Sequence, residues 1–141
     1  MDLGLKGKNA IVTGGSRGIG LAIAHGLARE GANVSICARN KDHLETAAAD
    51  LAKHGVKIHS AACDVASPDA LAAYIEAAHG AIGGLDILVN KASAFGRSDD
   101  EQVWQSSFDV VLLASVRASW AATPVLEAAG GGAIVHISSI S

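Results

Sequence analysis

Runs of consecutive apolar residues alternate along this chain with stretches in which apolar side chains recur every three or four positions. Residues 9–13 (NAIVT) form a short apolar run ending in glycine. Residues 18–30 follow, with Ile19, Ile23 and Leu27 at the spacing of one helical face and Gly31 as a stop. A second strand at 33–38 (NVSICA) leads into a helix over 41–54, on which Leu44, Ala47, Ala48 and Leu51 share a face. Residues 56–62 (VKIHSAA) alternate apolar and polar as an edge strand does. Ser67-Pro68-Asp69 reads as an N-cap, a first-turn proline and an acid at the positive helix end. It opens a third helix striped by Leu71, Ile75, Ala78 and Ile82. Residues 86–90 (DILVN) are apolar enough for a central strand, a long helix lies within 101–129, and a fifth strand spans 133–138 (AIVHIS).

Strand and helix in strict alternation predict right-handed crossovers and an α/β fold: a doubly wound parallel sheet with helices on both faces, three layers in all. No linker or repeat interrupts it, so residues 1–141 read as one domain that ends after strand 5.

Between the first strand and first helix stands TGGSRGIG, residues 13–20, with four glycines. In such a sheet this junction opens on the crevice at the carboxyl ends of the strands, where ligands bind. Main-chain N–H groups and the positive end of a helix dipole there make an anion site. Gly14 suits the tight turn, Gly18 the approach of a pyrophosphate to the backbone, and Gly20 the packing of helix on sheet. The spacing Gly-x-x-x-Gly-x-Gly, with no Gly-Lys-Ser/Thr after it, argues against a P-loop nucleotidase.

Composition narrows the function. Half of the residues are hydrophobic and 18% are charged, below the roughly 25% of an ordinary soluble protein. A net charge of -3 without a basic run excludes an electrostatic nucleic-acid footprint. No uninterrupted apolar stretch approaches the ~20 residues of a membrane span, and the N-terminus has no apolar signal block, so no membrane partner is expected. Cys37 falls in a predicted strand and Cys63 directly after one, and both read as buried free thiols, consistent with the cytoplasm. The six histidines have no metal-ligand spacing, so no metal site is assigned.

With Thr13-Gly14-Gly15-Ser16-Arg17-Gly18-Ile19-Gly20 at the first turn, Cys63-Asp64-Val65 after strand 3, Asp86-Ile87-Leu88-Val89-Asn90 on strand 4 and Ile137-Ser138-Ser139 after strand 5, the chain resembles the short-chain dehydrogenase/reductases over its whole length. The resemblance implies a Rossmann-type fold, a nicotinamide cofactor, and hydride transfer between a carbonyl and a secondary alcohol. Gly14, Ser16, Arg17, Gly18, Ile19 and Gly20 would then hold the dinucleotide, Asp64 would accept from the adenine amino group, Val65 would lie against the ring, and Asn90 and Ala92 would sit near the nicotinamide ribose. An ordinary turn aspartate is the competing reading of Asp64.

Strand 2 ends Cys37-Ala38-Arg39-Asn40, without the acid that binds ribose hydroxyls in NAD sites. Arg39 and Arg17 can instead converge on a 2′-phosphate, which favours NADP(H) and leaves NAD(H) possible. Two solvated arginines are the alternative. The missing acid also opposes an S-adenosylmethionine methyltransferase.

Three departures from the family pattern bear on mechanism. Asn90-Lys91-Ala92-Ser93 stands where the family has Asn-Asn-Ala-Gly, and Val111 occupies the position resembling its catalytic asparagine. The family's Tyr-x-x-x-Lys pair, in which the cation lowers a phenol from about 10 toward neutrality, is absent before Ser141. The single tyrosine, Tyr74, is followed at the fourth position by Ala78 and reads as packing. Ser139 is thus the one family catalytic residue present, placed to polarise a substrate carbonyl; a polar strand terminus is the alternative. The 141-residue chain is expected to be inactive by itself, either as the cofactor-binding half of a reductase or as a silent NADP(H)-binding module or sensor. Reductases of 3-oxoacyl thioesters, sugars and steroids share this half, so the substrate is a small carbonyl or alcohol of unspecified identity. Val103, Trp104, Phe108, Val111, Leu112, Val116, Trp120 and Leu126 surround the long helix and point to a homodimer or homotetramer formed through it.

Overall fold

The computed structural model describes residues 1–94 and 98–138. Five parallel strands lie in the order β3-β2-β1-β4-β5, where β1 is Asn9–Thr13, β2 Asn33–Ala38, β3 Ile58–Ala62, β4 Ile87–Asn90 and β5 Ala133–His136. The chain winds outward one way through β2 and β3, then returns past β1 to β4, so the order reverses between β1 and β4. That reversal creates the crevice. As the sequence predicts, β3 is an edge and β4 is interior.

Alternate side chains of the inner strands feed two cores. Val12, Val34, Ile36 and Val89 pack under α1 (Gly18–Arg29) and α2 (Lys41–Ala52). Ile11, Cys37 and Leu88 pack on the other face with α3 (Pro68–Ile82) and α5 (Ala114–Ala128). The predicted stripe of α3 is the buried one, Leu71, Ile75, Ala78 and Ile82, and on α2 Leu44, Ala47 and Leu51 are buried while Ala48, predicted with them, is half-buried. On α1 the reading is corrected. The buried residues are Gly20, Ala24 and Ala28, whereas Ile19 is 60% exposed. Small side chains let the helix approach the sheet closely, and the larger ones are left at its flanks.

The same holds at the long helix. It comprises α4 (Glu101–Ser107), a π-helical segment Phe108–Leu113, and α5. Its packed face is Ala114, Ala118, Ala122 and Leu126, against α3. Of the predicted apolar set, Leu126 is buried, while Trp104 and Trp120 are exposed. The run Glu101–Ala128 is long and apolar enough, by length and composition, to cross a membrane, which corrects the expectation that no stretch would qualify. Polar residues such as Asp109 and Arg117 interrupt it, so its average hydropathy rather than an unbroken apolar block carries it past that test.

Polar groups fix the register. At the amino ends of the strands, Asn9 N–H donates to Asp86 Oδ2 (2.9 Å), Asn33 Nδ2 to Asn9 Oδ1 (2.9 Å), and Lys57 N–H to Asn33 Oδ1 (3.0 Å). Across the middle, buried Ser35 on β2 bonds both His59 Nδ1 on β3 (2.8 Å) and Tyr74 OH on α3 (2.6 Å). A one-residue slip of β3 would turn His59 away from this network.

Burial disfavours the charged imidazole and lowers the His59 pKa. The unfolded chain therefore binds this proton more readily. Stability from the neutral form is complete above the ordinary histidine value of about 6.5 and is lost as pH falls through it. In urea unfolding on either side of that value, His59→Asn is expected to flatten the decline seen in the parent chain.

Candidate functional site

The site begins where β1 runs out. Thr13 is buried, and its Oγ1 donates to Val89 O (3.5 Å) and accepts from Lys91 N–H (3.1 Å), which ties the end of β1 to the end of β4. Gly14 then turns with φ +66°, and a Cβ there would lie 2.9 Å from Ala92 Cα. A Cβ on Gly20 would overlap the Gly14 carbonyl oxygen. The tight turn expected at Gly14 is present. At Gly20 the close approach is helix onto loop, not helix onto sheet, because the first turn of α1 folds back over the loop it leaves. Above Gly18 the space is open.

Arg17, the N-cap of α1, is extended (φ -160°, ψ 172°); its side chain caps no amide, and the first turn holds no acid. Every other α-helix preceded by a loop is capped. Asn40 accepts from His43 N–H (3.0 Å), Ser67 from Ala70 N–H (3.3 Å), and Asp100 from Val103 N–H (3.0 Å), with Asp42, Asp69 and Glu101 in the respective first turns. Among the described residues, α1 alone turns uncapped amides and an unopposed positive dipole end toward a cavity.

That cavity, about 740 Å³, lies across the carboxyl ends of β1 to β4, within the usual size of a small-molecule site. Nine of the sequence-predicted positions line it: Gly14, Ser16, Arg17, Gly18, Ile19, Arg39, Asp64, Val65 and Ala92. Gly20 and Asn90 do not. Gly20 lies beneath the loop, and Asn90 is buried with Nδ2 3.2 Å from His136 Nδ1 on β5, so it joins strands. Ser139 lies outside the described residues. Lining residues that were not predicted as ligands include Asn40, His43, Lys91 and Val110. Asn40 and His43 carry a sequence signal, being the cap and first turn of the helix after Arg39; Val110 has none, since its place depends on the π-helical turn.

Charge in the cleft is uneven. Among the described residues, Arg17, Arg39, His43 and Lys91 line it, against the single acid Asp64. Asp64 is also a turn aspartate: Oδ1 accepts from Ala66 N–H (3.0 Å), and its carbonyl accepts from Ser67 N–H (3.0 Å). Asp64 thus makes the contacts of a turn aspartate while lining the cavity. Beneath it lie two free, buried thiols. Their mutual hydrogen bond, with burial, pushes Cys37 well above the ordinary thiol value, and the same contact lowers Cys63. Tyr74 is raised well above the ordinary phenol value, first by burial. A catalytic tyrosine needs the opposite shift, so Tyr74 is packing, as the sequence suggests.

The family profile described as short chain dehydrogenase matches residues 8–141. A rabbit (Oryctolagus cuniculus) dehydrogenase/reductase SDR family member 4 is 36% identical over 97% of this chain and 55% of its own length. The structure of L-sorbose reductase from Gluconobacter frateurii, complexed with NADPH and L-sorbose, superposes with a TM-score of 0.94 at 42% identity, over 99% of this chain and 55% of that one. NAD⁺-bound xylitol dehydrogenase superposes with a TM-score of 0.91 at 27% identity, covering 96% and 54%. The chain thus spans about half the length of the relatives it matches.

Two glycines of one helix make a matched test. Gly26→Ala, in the interior of α1 with nothing near its added Cβ, is expected to stabilise by about 0.5–1 kcal/mol. Gly20→Ala must displace backbone and is expected to destabilise by about 1–3 kcal/mol. Thermal unfolding of both variants checks the opposite signs.

Proposed function

We propose, from the premise that this chain belongs to the short-chain dehydrogenase family, that it carries the dinucleotide-binding half of an NADP(H)-preferring oxidoreductase. The observation that carries this reading is the uncapped amide end of α1, open on a cleft whose outer rim bears Arg17 and Arg39. Gly18, Ile19 and Ser16 would hold the diphosphate, and the room above Gly18 is what a phosphate against bare amides needs. Arg17 and Arg39 would bind a 2′-phosphate, Asp64 and Val65 the adenine, and Gly14 and Ala92 would shape the floor. When bound, the nicotinamide supplies or accepts the hydride exchanged with a carbonyl or secondary alcohol.

The NADPH of the sorbose reductase complex supports the phosphorylated cofactor, and the NAD⁺ of xylitol dehydrogenase keeps NAD(H) as its competitor. For Ser139 the proposed role is a hydrogen bond donated to the substrate carbonyl. Trp104, Phe108, Val111, Leu112 and Trp120, all exposed on the long helix, support a homo-oligomer through that face. The free, buried thiols support a cytoplasmic setting.

Calorimetry of the 141-residue chain is expected to show NADPH binding, without turnover of a small ketone panel because no Tyr-x-x-x-Lys pair is present. Arg39→Asp is expected to weaken NADPH by about tenfold or more relative to NADH. Retained preference for NADPH in that variant would refute the assignment.

A further inference from the structure

The rim of the cleft holds a third basic side chain whose position neither the glycine motif nor the two arginines explain. His43 stands in the first turn of α2 and lines the main cavity beside Arg39 and Asn40. It also lines, with Ser16 and Arg17, a side pocket of about 230 Å³ between α1 and α2. Ser16, Arg17 and His43 are common to both spaces, so Arg17 and His43 form the wall between them. Three basic groups from three separate elements thus border one corner: Arg17 at the start of α1, Arg39 past β2, and His43 on α2.

The corner is also poor in acid. Asp64, the single acid among the described residues of the main cavity, follows β3. In the side pocket Asp50 is engaged by Lys53 Nζ at 3.1 Å. The cap of α2 uses the main-chain N–H of His43 and the side chain of Asn40. The imidazole takes no part in that cap, and His43 is exposed. A side chain that neither packs nor caps yet borders two cavities is placed to meet a ligand.

We infer that His43 is a specificity-determining residue: a third donor to the 2′-phosphate of the dinucleotide, completing a corner with Arg17 and Arg39. This rests on the dinucleotide reading above and adds to it a residue on α2. A 2′-phosphate presents three acceptor oxygens, each able to accept more than one hydrogen bond, which leaves room for a third donor beside two guanidinium groups. An unphosphorylated ribose offers His43 no anion. Its effect is therefore on the choice between cofactors and not on binding the shared parts of both.

The test titrates NADPH and NADH separately by calorimetry into the parent chain, His43→Ala, His43→Lys and Arg39→Asp, with thermal unfolding as the folding control. His43→Ala is expected to melt with the parent, to weaken NADPH by about threefold to tenfold and to leave NADH within about twofold. His43→Lys, which keeps an N–H donor at that position, is expected to restore NADPH. If His43→Ala shifts both dinucleotides equally, or neither, while Arg39→Asp still discriminates, the role of His43 falls and the cofactor reading stands. If the parent chain takes up neither dinucleotide, the cofactor reading itself falls and this inference falls with it.

Discussion

The contact on which the rest of the site depends is the pressing of the β1–α1 loop onto the end of β4. Thr13 Oγ1 holds the Lys91 amide, and this sets Gly14 so close to Ala92 that no Cβ fits between them. Gly20 then lies under the Gly14 carbonyl for the same steric reason. With the loop drawn down, α1 starts directly at the crevice, and Arg17 enters it in an extended conformation with its side chain capping nothing. The unsatisfied amides follow from where the helix begins, not from any one polar side chain. A helix begun one turn later, with a serine or aspartate cap, would fold equally well and bind no anion.

In the proposed reading, the rim would turn a general anion site into a discriminating one. The chain is net negative at -3, so nothing about its overall charge attracts a phosphorylated ligand. Local placement does. Arg17, Arg39, His43 and Lys91 reach one cleft from four different segments of chain, while Asp69 and Glu101 sit in the first turns of other helices and Asp42, beside His43 in the first turn of α2, does not line the cleft. At physiological salt the field of exposed charges fades over about 8 Å. Cations gathered on the rim therefore act on a bound ligand more than distant surface acids do.

What the sequence made legible follows period and punctuation. The strands and helices, the two-sided sheet, the Ser67 cap and the Gly14 turn were all readable, because each is fixed by residues within a few positions of one another. Close packing was not. A search for large apolar side chains selects Ile19 and Trp120, both exposed, and passes over Ala24, Ala28, Ala118 and Ala122, which carry the contacts. Small residues reveal themselves only when the neighbouring surface is known. Asn90 and His136 are 46 positions apart, and no local pattern announces that their side chains meet. The π-helical turn at Phe108–Leu113 is equally silent, because no glycine or proline marks it.

The backbone explains how the chain tolerates two of its departures from the family pattern. Val110 lines the cleft, while Val111, at the position resembling a catalytic asparagine, is half exposed. A valine at 111 removes no packing and breaks no hydrogen bond on which the sheet relies. Lys91 is similar. Its structural task is performed by its main-chain N–H, which Thr13 holds whatever the side chain, and the lysine is left to add a cation to the cleft wall. In both cases the backbone carries the architecture and the side chain is released to vary. The glycine loop has no such latitude, since at Gly14 and Gly20 the missing side chain is itself the structural element. Variation in this fold can therefore alter the side chains that face the cleft while the glycine turn stays intact.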